Sequence, residues 1–185
     1  LCYRQHYLEN NVEEYTGRAI TQQTLQLFLD RLPYYRDEKL REGVYTAPDI
    51  NYSADFIVLP KPPVASITHV KYYANDNTAS TFAASNYFAD VDSTSARVVL
   101  KNGVSWPTLT ELRQGNAYEV QYIAGYGNSA SDVPTPIIQA IKLLTTHLYE
   151  NRELVSQNSV NTIPYTVGQL LQPYRVIRLN NILGG

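Results

Sequence analysis

Apolar residues recur at helical spacing most clearly across residues 132–153, DVPTPIIQAIKLLTTHLYENRE. Ile137, Ile138, Ile141, Leu144 and Leu148 fall on one face, with Leu143 beside it. Steps of three and four residues predict an amphipathic helix, and a stripe this wide suits packing on a core rather than a coiled-coil seam. Thr135 is the expected N-cap, with Pro136 at the first helical position, where the missing N–H has no partner to lose. At the start of the chain Leu1, Leu8, Val12 and Tyr15 share a second helical face, which Gly17 is placed to terminate. That face needs an apolar partner, and the 137–148 stripe supplies one.

Between these helices the period falls to two. Leu25, Leu27 and Leu29 alternate with Thr24, Gln26, Phe28 and Asp30, which predicts a half-buried strand closed by Pro33. The apolar run 56–59 stops at the PKPP cluster of residues 60–63, so it belongs at a sheet edge or a crossover. Further strands are predicted at 64–73, 86–91, 97–100 and 117–123, with turns at 75–77 and 92–95 and a hairpin signal at Asn102-Gly103. The run RDEKLRE at 36–42 alternates in sign and reads as a solvated loop or short helix. The expected fold class is α+β: a small helical bundle with an inserted antiparallel β-domain, barrel- or sandwich-like, and an extended C-terminal tail. In domain terms, residues 1–153 are expected to form the bundle with its insertion (about 20–123 β-rich) and residues 154–185 a separate C-terminal tail.

The tail differs in kind from what precedes it. Residues 154–185 hold no acidic group, and only Arg175 and Arg178 are charged. The segment is too apolar to stay freely solvated and too short to hold its own core. It is therefore expected to lie on something, either a partner or its own domain.

Composition narrows the functional classes. The 185 residues carry a formal charge of −2, which gives no global attraction to nucleic acid or to an anionic membrane. No apolar run approaches a membrane span. One cysteine excludes an internal disulfide framework, which suits a reducing cytoplasm. The chain opens on Leu1 and has no methionine, as a processed or truncated product would, and its first residues lack the pattern of a signal peptide. Its sixteen tyrosines suit strands and half-wet interfaces.

The chemical inventory is thin. His6, His69 and His147 show no paired ligand spacing, and Cys2 sits at a helix end prone to fraying. The AGYG run at 124–127 follows a strand without completing a dinucleotide fingerprint, and Asp90 and Asp92 are too few for a calcium loop. No protease, hydrolase or P-loop motif is present. The expectation is a non-enzyme with no cofactor and no metal.

Four blocks and the tail carry a family resemblance. They are EEYTGRAITQQT at 13–24, LPKPPVASITHVKYY at 59–73, EVQYIAGYGNSASDVPTP at 119–136, and the helix ending HLYENRE at 147–153. In their order and spacing they resemble the head–tail connector, or adaptor, family of long-tailed bacteriophages and gene transfer agents. The resemblance implies a structural virion protein of the neck, assembled in the host cytoplasm. It implies a ring of about a dozen copies beneath the portal protein, extending the DNA channel and docking the next neck, stopper or tail protein. Contact with channel DNA is left open, and no membrane is involved. Carried over residue by residue, Val167, Leu170, Leu171, Pro173, Tyr174 and Arg175 become the expected portal-docking residues. Family members begin with more helix before E-Y-T-G-R than this chain has. The rival reading is a β-rich carbohydrate-binding module, whose tyrosines and Trp106 would line one exposed face.

Overall fold

The computed structural model describes residues 2–32, 56–93, 95–107, 112–150 and 165–176, apart from the side chains of 2–8, 148 and 150. The 36–42 charge run, the stop at Pro33, the segment 154–164 and the side chains of Cys2, His6, Leu8 and Leu148 lie outside the described residues. The described chain is α+β and divides into two compact units.

The helical unit is built from the described residues of Leu1–Gln23, Lys61–Pro63 and Ala124–Gly185. Its helices are α1 (Cys2–Thr16), α2 (Thr135–Glu150) and α3 (Tyr165–Leu171). Helix α1 ends where the sequence places Gly17, at φ 69°, with its N–H donating to the Glu13 carbonyl at 2.8 Å. A left-handed residue there closes the last turn at little cost only when it is glycine. Helix α2 starts one residue before the expected point. The Pro134 carbonyl accepts from the N–H groups of Ile137 and Ile138, so Thr135 is the first helical residue and not the cap. A capping box on Ser129 and Asp132 instead secures the single 3₁₀ turn Ala130–Asp132 that leads into it.

The core of this unit joins Val12, Ile20, Ile137, Ala140, Leu144, Val167 and Leu171. Two of them come from α3, which the sequence reading treated as tail. Val167 is 2% exposed and Leu171 is fully buried. Full burial of side chains this size stabilises by roughly 1.5–3 kcal/mol each. Residues 165–176 thus lie on their own unit, the second of the two placements the tail's composition allowed.

The β unit comprises the described residues of Thr24–Pro60 and Val64–Ile123. Its strands are β1 (Gln23–Leu29), β2 (Phe56–Val58), β3 (Val64–Tyr73), β4 (Ala79–Phe82), β5 (Tyr87–Asp90), β6 (Arg97–Leu100) and β7 (Tyr118–Ala124). One sheet has the order β1-β7-β3-β4 and the other β2-β6-β5. The leucines of β1 alternate with its exposed residues as the period of two requires. Strand β2 is an edge strand, in keeping with the prolines that follow it. Strand β4, unread in the sequence, pairs antiparallel with β3 through Val70 and Phe82 across a turn closed by the Asn77 N–H on the Ala74 carbonyl.

The Asn102-Gly103 pair does form a turn, with the Val104 N–H on the Lys101 carbonyl, but no hairpin. Strand β6 already lies between β2 and β5 and has no free edge for another partner. The chain instead delivers Trp106 to the interior, where its ring stacks on Phe82 with centroids 4.9 Å apart and meets Tyr118 edge-on at 6.1 Å. The buried phenols find partners: Tyr118 donates to the Pro107 carbonyl at 2.9 Å and Tyr122 to the Pro60 carbonyl at 2.7 Å. Burial pushes the Tyr118 phenol up to about 12.

Candidate functional site

Parts of three sequence blocks and the C-terminal segment meet at the end of α1. Glu13 organises the meeting. It is 6% exposed, and its Oε1 accepts from the Ile20 N–H at 2.8 Å and from Gln23 Nε2 at 3.0 Å. Its Oε2 lies 3.5 Å from Lys61 Nζ. A buried carboxylate is tolerated because every partner is a donor. The bonds tie the turn after α1 to the start of β1 and to the proline loop.

Backbone bonds complete the knot. The Ala19 N–H donates to the Pro62 carbonyl, the Gly125 N–H to the Pro63 carbonyl at 2.8 Å, and the Tyr126 N–H to the Ile20 carbonyl. Thr21 and Gly127 form a parallel bridge. The AGYG run is therefore the place where two backbones run in contact. At Gly125, φ is 122°, and a Cβ would stand 2.3 Å from the Thr21 carbonyl oxygen. Only glycine fits there.

The C-terminal segment closes over the same spot. The Val176 N–H donates to the Thr16 carbonyl at 2.7 Å, and Arg18 Nε to the Tyr174 carbonyl at 2.6 Å. The Arg175 guanidinium sits 5.6 Å from the centre of the Tyr15 ring. Tyr126 packs against the helical core, and burial raises its phenol while Arg18 pulls the other way.

The six expected docking residues divide accordingly. Val167 and Leu171 are inside the core, where they hold α3 in place and are closed to a partner while the unit is folded this way. Leu170 and Tyr174 are half-buried against that core. Pro173 and Arg175 are exposed. The resemblance assigns all six to portal docking together, and α3 is too short for its period to separate an inner from an outer face in the sequence.

A second polar cluster, unread in the sequence, lies in the β unit. Glu119 is 6% exposed in β7, and it accepts from the Tyr73 hydroxyl and lies 3.1 Å from His69 Nε2. The Tyr73 hydrogen bond, helped by His69 and Lys71, holds the Glu119 carboxyl below the usual carboxylate range; the same bond raises the Tyr73 phenol. Arg113 lies 3.8 Å over the Tyr73 ring. A carboxylate in the middle of AYEVQYI, a mostly apolar and aromatic strand flanked by neighbours on both sides, is the signal that marks this cluster in the sequence.

Neither cluster provides a nucleophile paired with a base. Among the described residues no group of three metal-binding side chains occurs, and no helix is long and apolar enough to cross a membrane. Asp90, expected as a turn-former, pairs with Arg97 at 2.6 Å. Trp106 is 6% exposed and stacked inside the β unit, so it offers no platform to a sugar.

No family model and no curated protein matches the chain. Solved structures do match it. A chain from the neck of an empty gene transfer agent (GTA) particle, computed with C6 symmetry, shares 22% identity at a TM-score of 0.70, covering 99% of this chain and 79% of that one. A chain from the neck of a native GTA particle, computed with C12 symmetry, gives 22% and 0.70 over 99% and 84%. A chain from the virion of a native GTA particle gives 21% and 0.69 over 99% and 78%. At this identity the likeness establishes a shared fold.

Proposed function

We propose that this chain is a structural protein of the neck of a phage-like particle, an adaptor that forms a ring beneath the portal, extends the DNA channel and receives the next neck, stopper or tail protein. The observation that carries the reading is that 99% of the chain superposes on chains of GTA necks, one of them computed with C12 symmetry. The ring is proposed to have about a dozen copies, so that many repeated weak contacts replace one strong site. The role is proposed to be mechanical, carried out in the virion after assembly in the host cytoplasm.

Portal contact is assigned to what the C-terminal segment leaves outside: Pro173, Arg175 and the outer edges of Leu170 and Tyr174. The knot around Glu13 and Arg18 fixes this edge to the end of α1, so the docking surface arrives preformed. A preformed surface avoids much of the ordering cost that a flexible tail would meet on binding.

The test is a reconstruction of particles that carry this chain. The reading expects its density as a ring between portal and tail, with Arg175 at the portal boundary. Density elsewhere in the particle, or none, would refute the neck assignment. A neck ring in which residues 173–175 face away from the portal would refute only the docking edge.

A further inference from the structure

We propose that neighbouring copies meet through two patches of the β unit, the outer face of the β2-β6-β5 sheet on one copy and the outward face of β1 on the next. The inference rests on the ring reading above and names the surfaces that build the ring.

The first patch follows from register. Phe56, Val99 and Phe88 are direct partners across the three strands, and Val58, Arg97 and Asp90 form the next row on the same face. The alternate residues Ile57 and Val98 point inward and are buried. Val58 is 41% and Phe88 50% exposed. The only charges in these two rows neutralise each other: Arg97 bonds Asp90 and spreads over the Phe56 ring at 5.4 Å. The face therefore offers apolar area without net charge, which gives nucleic acid or a strongly charged partner no electrostatic attraction.

The second patch is the outward side of β1, where Thr24, Gln26 and Phe28 alternate with the inward leucines. Phe28 is 44% exposed, and no residue of the strand is charged. Among the described residues of the β unit, the large apolar side chains left exposed are Phe28, Val58 and Phe88. All three lie on these two patches. A single patch that matched itself would close a two-fold dimer, whereas a ring needs two different patches on each copy. Two separate surfaces without net charge, each with an exposed phenylalanine, meet that requirement within one chain and favour a second copy over a foreign partner.

Thiol crosslinking of the full chain in a Cys2→Ser background tests the contact. Concentrated Phe28→Cys/Phe88→Cys protein treated with a short bismaleimide is expected to give a ladder of dimers, trimers and larger species, while each single variant stays monomeric. Without crosslinker, Phe88→Asp is expected to weaken self-association about tenfold or more, as loss of a contact anchor does. Its melting temperature should hold, because the side chain is half in water. Dimers from Phe88→Cys alone would mean that the face meets itself, and a double variant that never crosslinks would mean that the patches do not meet; either result overturns the proposal. A chain found in the neck but failing to crosslink would sink this contact alone. A ladder from a chain located elsewhere in the particle would sink the neck reading alone.

Discussion

The two units are held together in opposite ways. The β unit draws its described core from two stretches separated by one loop and adds to its buried aliphatics a group of packed rings, Phe82, Tyr87, Trp106 and Tyr118. The helical unit is gathered from pieces more than a hundred residues apart, and its core is aliphatic and small. Among the described residues each unit buries one glutamate, and the contrast repeats there. Glu119 bonds to side chains within its own sheet. Glu13 bonds to a backbone N–H and a side-chain amide on the turn into β1 and to a lysine of the proline loop. A unit collected from distant pieces leans on polar clasps and on its C-terminal piece to complete the core, whereas the β unit adds large rings to an aliphatic core.

The sharpest test of that contrast is Leu171. Leu171→Asp places an unpartnered carboxylate in the helical core and is expected to cost about 4 kcal/mol or more, with Leu171→Ala costing about 3 kcal/mol. Urea unfolding followed by circular dichroism would measure both. Truncation after Glu153 should act in the same direction, since it also removes Val167. Unchanged stability in either variant would return α3 to the status of a free tail. Next in size is Gly125→Ala, where a Cβ meets the Thr21 carbonyl at 2.3 Å and Gln22 Cα at 2.7 Å. Two backbones must separate, at about 3 kcal/mol, and a small change in melting temperature would show that they do so easily. Glu13→Ala follows at about 2 kcal/mol, because the buried Ile20 N–H loses its acceptor. Glu13→Gln keeps an oxygen there and should recover much of the loss.

The same contrast decides what could be read from the sequence. The leucines of β1 carry a period of two, residues 56–59 before PKPP are an unbroken apolar run, the strand before AGYG shows as a β-rich stretch between turn signals, and α1 and α2 carry helical stripes with Gly17 as a stop signal. Those elements need only their neighbours in sequence to be recognised. Helix α3 has seven residues, YTVGQLL, with a glycine in the middle, and only Val167 and Leu171 face inward at the four-residue step. Two apolar positions cannot distinguish an amphipathic turn from a sticky tail. The knot at Glu13 was legible as a set of blocks, since EEYTGR, PKPP and AGYG stood out, but its geometry depends on chain crossings that no local pattern reports. Asn102-Gly103 misled for a related reason: the turn is local, while the absence of a free edge on β6 is a property of the sheet.

The smallest expected effect separates the two glutamates by pH. The Tyr73 hydroxyl, with His69 and Lys71, holds the Glu119 carboxyl below its ordinary value in the folded protein. A depressed carboxylate contributes stability that is complete above the unfolded value, about 4.3, and fades as pH falls through the folded one. The β unit should therefore lose stability on acidification below about pH 4, with a slope that cannot exceed about 1.4 kcal/mol per pH unit for each proton taken up. Asp76, held down by its bond from the Thr78 N–H, and Asp90, held down by Arg97, titrate in the same acidic window, so wild-type data alone do not isolate Glu119. Glu119→Gln keeps the shape and removes the proton. It should lie below wild type at neutral pH and draw level with it as pH falls. Parallel pH curves for the two proteins would show that the Tyr73–Glu119–His69 cluster carries none of the acid sensitivity. The β unit would then rest on its buried apolar side chains, rings and aliphatics alike, and not on this carboxylate.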